Sequence, residues 1–470
     1  MKEATGISGM RSRTLMGGAF AGFFFCAALV GACSGADSSG LFADVPEAGI
    51  GAEGSIPPGS EGGPGLDGSG GDAQPCTGAG CNKPTCKEGE TTTLRGKVYD
   101  PAGVNVLHGV RVFIPSGPLA PLTSGATCDP CGAISPAPVA ATLTNARGEF
   151  ELTDVPVGPA VPVVIQTGKW RRSIDVAITK SCQPNDAPDK KIRLPKNGAE
   201  GEMPQIAVTT GGCDALECLL RGIGIDDKEF VPGASSAGHV HVFNGGGGMF
   251  PGAPPAGGTT TAPLGGELWN SKAKMMPYDA LLLSCECDET NDNKGGAVGV
   301  PGARQAMHDY AAAGGRVIAS HYHYTWLKNS PVTAWQDIAS WNLGNGPASG
   351  TFDVDTSFPR GKAFSDWLVA VNASPGGANT IPLKDVTASL SSINPPAQSW
   401  IRKAPSQVAY FSFPAPTVGA ACGRVAFTDL HTADITAGGG EFPKQCKASG
   451  VLSEQQKALE FLLFDASSCN

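Results

Sequence analysis

The chain has 470 residues, 41% apolar and only 16% charged, so it is long enough for two or three domains with substantial cores. Its net charge of −9 excludes a nucleic-acid partner, because no cationic surplus exists to displace the counterions of a phosphate backbone. The 65 Gly and 38 Pro residues exceed average usage, which indicates that much of the chain is loop or tether.

Residues 1–32 are typical of an export signal. Two arginines precede an apolar stretch at residues 16–30 that is too short to span a bilayer comfortably. The sequence Val-Gly-Ala before Cys33 resembles a bacterial lipobox, in which the signal is cut before the Cys and that Cys is lipidated. Ser34 after it favours an outer-membrane lipoprotein of the cell envelope, facing the periplasm or the surface. The alternative is an ordinary signal peptide cut after a small residue.

Residues 33–90 are predicted to form a disordered tether. Gly, Ser, Pro, Ala and Asp dominate, and aromatic residues are nearly absent, so the segment cannot bury enough surface to fold. Cys76, Cys81 and Cys86 follow one another at five-residue intervals near its end. This spacing favours local disulfides over a zinc site, which would need a nearby His or paired ligands.

Residues 91–198 alternate between apolar and polar positions and predict a small β-sandwich. We expect strands at residues 94–100, 110–114, 149–152 and 161–167. The motif G-x-V-x-D-x-x-G from Gly96, and T-x-x-x-G-x-F-x-L-x-x-V-P-x-G from Thr144, resemble the carboxypeptidase regulatory-like family. That resemblance implies a transthyretin-like sandwich that serves as an accessory module and carries no chemistry of its own.

From residue 203 to residue 470 the pattern changes to strands alternating with helices, which indicates a parallel sheet. The predicted strands lie at residues 205–209, 239–243, 280–284, 317–319, 408–413 and 423–431. The predicted helices lie at residues 216–223, where Asp214 is a candidate cap, at 303–311, and at 453–464, where Ser453 and Gln456 form a capping box.

Three of these segments resemble the class I glutamine amidotransferase-like fold, and within it the ThuA-like group. They are Tyr278–Leu283, Gly314–His321 and Gly423–Thr428. The resemblance implies a multi-domain protein, with the small all-β sandwich followed by an α/β flavodoxin-like parallel-sheet domain. Amidotransferases place a nucleophilic Cys in a strand-to-helix elbow that here reads Ala-Ser-His, so glutamine hydrolysis is not expected. Together with the lipobox, tether and sandwich, the chain resembles a group of myxobacterial-type lipoproteins.

The candidate functional residues follow apolar strands, and we expect them at the carboxyl edge of the sheet, where ligands bind in open α/β folds. The ligand-binding candidates are His321, His323, Tyr322, Tyr324, Asp429, His431, Glu286 and Asp288. His321 and His323 are two residues apart and would point the same way on an extended backbone. With His431 they could hold a divalent metal, although packing of His321 between the tyrosines is the alternative. Ser320 is a weaker candidate nucleophile, because no Gly follows it to permit a tight elbow.

Two classes of function remain open at this point. The first is a membrane-anchored lipoprotein that binds a glycan or a protein without catalysis. The second, implied by the ThuA-like resemblance, is a metal-dependent hydrolase or isomerase that acts on carbohydrate.

The 15 cysteines imply disulfides in an exported chain, and an odd number remains once Cys26 leaves with the signal and Cys33 is lipidated. One thiol should therefore be left over or pair with another chain. The sequence favours three pairs and one local or inter-loop arrangement. The predicted pairs are Cys218–Cys285, Cys213–Cys287 and Cys422–Cys446, while Cys128 and Cys131 bond to each other or to other loops.

The lipobox generates a direct test. Replacement Cys33→Ala should abolish palmitate labelling and release the protein from the membrane fraction, because the proposed attachment atom is gone. Replacement Cys26→Ala, inside the predicted signal, is the matched control and should keep both the label and the membrane location. A Cys33→Ala protein that still labels and sediments with membranes would show that the anchor is elsewhere.

Overall fold

The structure is a computed structural model, and it describes residues 82–468 with internal gaps. The gaps are at residues 129–133, 135, 234, 236, 246–263, 296–299, 344–345, 404–406, 433–441, 443–445, 448–449 and 451. The predicted signal, Cys33, most of the tether, Cys76, Cys81 and Cys131 lie outside the described residues. Within the described part, no helix is both long enough and apolar enough to cross a membrane.

The first seven strands form two small sheets. They are β1 (Thr93–Lys97), β2 (Arg111–Ile114), β3 (Ala140–Leu143), β4 (Glu149–Thr153), β5 (Gly158–Thr167), β6 (Trp170–Ile178) and β7 (Pro184–Asp186). One sheet has the order β4-β1-β7 and the other has the order β3-β2-β5-β6. Leu94 and Leu152 from the first sheet share one apolar cluster with Val112 and Ile165 from the second. Strands are present at the four expected places, although the first ends at Lys97 and not at residue 100. Their alternation is explained by burial of one side-chain set between the sheets.

Twelve further strands follow, ten of them in one large sheet. They are β8 (Ile206–Thr209), β9 (Phe230–Pro232), β10 (Val240–Phe243), β11 (Ala280–Leu283), β12 (Arg316–Ser320), β13 (Ala339–Trp341), β14 (Pro347–Val354), β15 (Thr380–Thr387), β16 (Leu390–Ile393), β17 (Gln398–Lys403), β18 (Gln407–Ala415) and β19 (Gly423–Thr428). Strands β13 and β16 pair separately with each other.

The described residues of the chain include eight α-helices. They are α1 (Leu216–Gly222), α2 (Gly265–Trp269), α3 (Lys272–Met275), α4 (Ala303–Ala312), α5 (Thr325–Lys328), α6 (Thr333–Gln336), α7 (Pro359–Ala370) and α8 (Glu454–Ser467). The capping box of α8 is confirmed, because Ser453 Oγ accepts the Gln456 N–H while the Gln456 side chain accepts the Ser453 N–H. Asp214, by contrast, makes no side-chain cap on α1.

The large sheet is mixed, and this corrects the expectation of a purely parallel sheet. Its order is β15-β14-β17-β18-β19-β12-β11-β8-β10-β9. The strands from β19 to β9 are parallel to their neighbours, whereas β18, β17, β14 and β15 are joined by antiparallel pairing. The antiparallel half begins where β18 returns beside β19 without a crossover helix, since a short loop suffices to connect antiparallel neighbours.

Both faces of the parallel half are buried, which explains its continuous apolar strands. In β11, Leu282 faces one apolar cluster with α1 and α8, while Leu281 and Leu283 face a second cluster with α4. The same alternation places Ile318 of β12 in the first cluster and Val317 in the second. The site at the carboxyl edge is therefore carried on strands whose position is set by packing on two sides.

The sandwich packs against α7 and α8 through apolar and polar contacts. Trp170 meets Phe464 edge-on at 5.8 Å between ring centroids, and Trp367 Nε1 donates to the Val106 carbonyl at 2.6 Å. Asn105 Nδ2 donates to a carboxylate oxygen of buried Glu460 at 2.6 Å. The first apolar cluster runs without interruption from the sandwich strands to α8.

The disulfides of the described residues correct part of the predicted pairing. Cys213 bonds to Cys287, as expected from the adjacency of the first and third strands. Cys218 bonds to Cys446 and Cys128 bonds to Cys422, so the predicted pairs Cys218–Cys285 and Cys422–Cys446 are wrong. The physical reason is that α1 turns Cys218 away from the sheet edge toward the loop before α8. Cys285 is the free thiol among the described cysteines, and it is buried.

Cys86 bonds to Cys182 across 96 residues, so the expectation of a local disulfide is wrong for this cysteine. The bond ties the end of the predicted tether to the loop that precedes β7. It therefore joins the start of the described chain to the first sheet of the sandwich.

A buried pair of carboxyl groups, Asp100 and Glu460, should make stability depend on pH. Burial raises the pKa of Asp100 to about 6, and it also raises the pKa of Glu460, which the negative charge of Asp100 raises further. Because the folded-state pKa is raised, the protonated Asp100 carboxyl contributes fully to the free energy of unfolding below its unfolded pKa. That contribution is lost as pH rises through about 6. The free energy of unfolding should therefore fall across this window.

Replacement Asp100→Asn keeps an oxygen that can accept the Val104 N–H, now bonded at 2.7 Å, and removes the ionisation. Urea unfolding between about pH 4 and pH 7 should show a flatter dependence for Asp100→Asn than for the unsubstituted protein. Exposed Asp337→Asn is the control and should leave the dependence unchanged. Parallel curves for Asp100→Asn and the unsubstituted protein would contradict the assignment.

Candidate functional site

A pocket of about 490 Å³ opens at the carboxyl edge of the parallel strands. Its lining comes from the loops after β8, β11, β12, β13 and β19, from the end of β15 and from the turn between β15 and β16. The lining residues are Cys213, Cys287, His321, Tyr322, Tyr324, Leu343, Asp385, Thr387, Ser389 and His431. Four of the predicted ligand-binding residues, His321, Tyr322, Tyr324 and His431, are thus brought together.

His321 occupies a tight turn between β12 and the helical segment that follows. Its φ is 39°, a left-handed conformation that side chains other than Gly adopt rarely. Residues His321–Tyr324 then form a 3₁₀ helix. The prediction that His321 and His323 point the same way is therefore wrong, because it assumed an extended backbone, and side chains two apart on a helix diverge.

Three side chains of types that commonly bind metals lie close together at this turn. The ligand atoms of Cys285, His321 and His431 all lie within 4.8 Å of one another. Cys285 Sγ is 3.3 Å from His321 Nδ1, and the two histidine rings are 5.3 Å apart between centroids. Cys285 comes from the end of β11, His321 from the end of β12 and His431 from the end of β19.

Burial controls the charge of this cluster. Desolvation lowers the pKa of His321 to about 3, with a smaller contribution from the neighbouring His431, so the His321 imidazole is neutral. Desolvation also raises the pKa of the Cys285 thiol to about 12. A thiol protonated at neutral pH is a poor nucleophile, which argues against a Cys–His nucleophilic pair without further activation.

Asp214 holds the two histidine-bearing loops in place. Its Oδ2 accepts the Ser320 hydroxyl at 2.7 Å, immediately before His321. Its Oδ1 accepts the backbone N–H and the hydroxyl of Thr432 at 2.8 and 2.6 Å, immediately after His431. One buried carboxylate, carried by the loop after β8, therefore fixes the backbone beside both histidines.

His323 lies in the core rather than in the pocket. It is fully buried, its Nε2 donates to the Ser284 carbonyl at 2.9 Å, and its Nδ1 accepts the Trp326 indole N–H at 3.0 Å. Both ring nitrogens are engaged, so His323 is removed from the predicted metal set. Cys285, and not His323, lies beside His321 and His431.

The remaining candidates are placed around the pocket without lining it. Glu286 is buried in an ion pair with Lys294, and Asp288 is exposed and accepts the Glu289 N–H. Ser320 is buried and donates to Asp214, which leaves it unsuited to nucleophilic attack. Asp429 is fully buried and accepts from the Ser389 N–H and hydroxyl.

Burial raises the pKa of Asp429 to about 8. Its bonds to Ser389 fix the turn between β15 and β16 against the end of β19. Asp429 thus positions a residue that lines the pocket, and this indirect role differs from the predicted direct contact with a ligand.

Cys285 was predicted to form a disulfide and not to be a ligand. Its place directly after a buried apolar strand is the same signal that identified His321 and His431. Asp385, Thr387 and Ser389 were not predicted, because they lie in β15 and the turn after it, a segment for which no strand was expected.

Comparison with known proteins finds only distant structural likeness. No protein-family model matches the sequence, and no curated protein sequence matches it. A cytoplasmic protein of Salmonella typhimurium is 11% identical over 56% of this chain and 96% of its own, with a TM-score of 0.28. A putative ThuA-like protein of Bacteroides uniformis is 10% identical over 48% of this chain and 82% of its own, with a TM-score of 0.25.

A type II cohesin–X-dockerin complex of Acetivibrio cellulolyticus contains a chain that is 16% identical over 31% of this chain and 78% of its own, with a TM-score of 0.15. At these scores the neighbours carry no argument about function. The fold and the site by themselves define a mixed α/β protein with a joined β-sandwich and a histidine-lined pocket.

The two histidines of the 3₁₀ segment should respond differently to truncation. His323→Ala should destabilise the protein by about 2–4 kcal/mol, because it leaves a cavity and two buried polar groups without partners. His321→Ala, at the pocket wall, should cost less than about 1 kcal/mol. Urea unfolding in the presence of chelator measures both values without any contribution from bound metal. Equal losses would show that both histidines serve the core.

Proposed function

We propose that this protein is a cell-envelope lipoprotein that binds carbohydrate in the pocket at the carboxyl edge of its large sheet. The pocket carries this proposal. Its volume of about 490 Å³ lies within the range of small-molecule sites. The two tyrosines supply apolar ring faces, while Asp385, Thr387 and Ser389 supply polar atoms that can bond sugar hydroxyls.

The envelope location rests on the lipobox at Cys33 and on the disulfides, since oxidising compartments are where such bonds persist. The tether between Cys33 and the described residues would hold the pocket away from the membrane surface. The sandwich is inferred to be a carboxypeptidase regulatory-like module, supported by its two packed sheets and its turn motifs.

For the α/β part we infer a ThuA-like, class I glutamine amidotransferase-like fold. Apart from the three-residue edge strand β9, its parallel strands have the order β10-β8-β11-β12-β19, which matches the flavodoxin-like order 2-1-3-4-5. His321, with its positive φ, stands at the strand-to-helix elbow where amidotransferases place a Cys. The carbohydrate-binding proposal needs no glutamine chemistry at this position.

A second candidate function is a metal-dependent hydrolase or isomerase that acts on carbohydrate. The observation that favours it is the convergence of Cys285, His321 and His431 at the pocket wall. The two candidates differ in whether a bound sugar is converted, and incubation with product analysis separates them. A protein ligand for the same pocket is the remaining alternative. It would be favoured if the protein binds no sugar.

The proposal is tested with the full-length protein in detergent and a panel of soluble oligosaccharides, using calorimetry. We expect saturable binding of at least one sugar, and Tyr322→Ala should weaken it about tenfold or more, because a stacking face is lost. Tyr322→Phe keeps the ring and is the matched control. Binding that is unaffected by Tyr322→Ala, or no binding to any sugar of the panel, would overturn the proposal.

A further inference from the structure

Two histidines that line the pocket and a buried cysteine beside them form a set of side chains that is suited to a transition metal. Cys285 supplies a sulfur, and His321 and His431 supply imidazole nitrogens, all within 4.8 Å of one another. Ligand atoms held tetrahedrally at 2.0–2.3 Å from Zn²⁺ are roughly 3.5 Å apart. The Cys285 Sγ to His321 Nδ1 distance of 3.3 Å already has this value, and a small side-chain rotation of His431 would close the remaining gap.

His431 offers an independent observation. Its Nε2 is buried and has no hydrogen-bond partner among the described residues. Its Nδ1 lies 3.3 Å from the Asp385 carbonyl oxygen, which can accept a hydrogen bond but cannot donate one. This contact fixes the tautomer with hydrogen on Nδ1 and leaves a lone pair on Nε2, the arrangement in which metal-binding histidines are usually held.

The backbone at His321 gives a third observation. A histidine with φ of 39° is held in a conformation that costs free energy, and such outliers concentrate at functional sites. The strain is maintained by the bond between neighbouring Ser320 and Asp214.

We propose that Cys285, His321 and His431 bind a single Zn²⁺ ion, with a fourth coordination position open to the pocket. The ligand set of one thiolate and two imidazoles suits Zn²⁺, which would displace the thiol proton of Cys285. Cys285 is fully buried, whereas His321 and His431 line the pocket, so the open position faces the pocket. A blue-copper site typically uses a weak axial Met, and the described residues that line this pocket include no Met.

This inference deepens the proposed carbohydrate site, because it places an electrophile in the same pocket and supports the hydrolase or isomerase alternative. Its test uses the metal alone, so its failure is distinguishable from failure of the proposed function. Protein that binds metal but no sugar would overturn carbohydrate binding and keep the metal site. Protein that binds sugar but no metal would do the reverse.

The experiment uses full-length protein made without an affinity tag and kept non-reducing, so that the disulfides stay intact. Metal analysis after dialysis should give one Zn²⁺ per chain. Exchange with Co²⁺ should produce a thiolate-to-metal charge-transfer band together with the visible bands of a tetrahedral ion. The band should disappear in Cys285→Ser, and Zn²⁺ affinity should fall more than about a hundredfold, beyond the loss typical of outer-shell changes.

His431→Ala provides a second variant, because this half-buried residue is less critical for folding than buried Cys285. It should also lose tight metal binding. His308→Ala, on α4 and outside the cluster, is the matched control and should bind metal normally. Bound Zn²⁺ should also slow alkylation of Cys285 by iodoacetamide. Absence of stoichiometric metal, or affinity unchanged in Cys285→Ser and His431→Ala, would overturn the proposal.

Discussion

The candidate site depends on the carboxylate of Asp214 more than on any other single group. This side chain is carried by the loop after β8, and it accepts hydrogen bonds from Ser320 and Thr432. Those residues flank His321 and His431 in the chain. Hydrogen bonds to a buried carboxylate are stronger than those between neutral groups. Asp214 therefore joins the two histidine loops firmly, and the histidine side chains themselves take no part in this connection. The histidine rings can therefore face the pocket.

The parallel half of the sheet was predictable because a strand that is buried on both faces has a short continuous run of apolar residues. In the antiparallel half only β18 carried this signal, while β14, β15 and β17 did not. Strand β15 contains Pro382, Lys384 and Asp385, residues that argue against a strand on sequence alone. In the structure β15 is an edge strand of the sheet, where a missing N–H and charged side chains are tolerated. Its sequence therefore suits an edge position, and only the tertiary structure shows that β15 occupies one.

The site was predictable to the level of the sheet edge and no further. Position after an apolar strand correctly brought His321 and His431 together. The same rule could not distinguish His321 from His323, because the choice depends on whether the chain stays extended or turns into a 3₁₀ helix at residue 321. The odd cysteine count predicted a leftover thiol. Among the described cysteines the free one is Cys285, because α1 directs Cys218 toward Cys446.

The location of the free thiol is set by its surroundings. Cys287 has a φ of 67°, so the backbone turns there and separates the exposed Cys287, bonded to Cys213, from the buried Cys285. The Cys213 N–H donates to the Cys285 carbonyl at 3.0 Å, and a Cβ at Gly211 would lie 2.1 Å from that oxygen. The loop after β8 can pack this closely only because position 211 is Gly. The Cys213–Cys287 disulfide and this contact together hold Cys285 under His321, so the geometry of the cluster depends on correct oxidation of its neighbours.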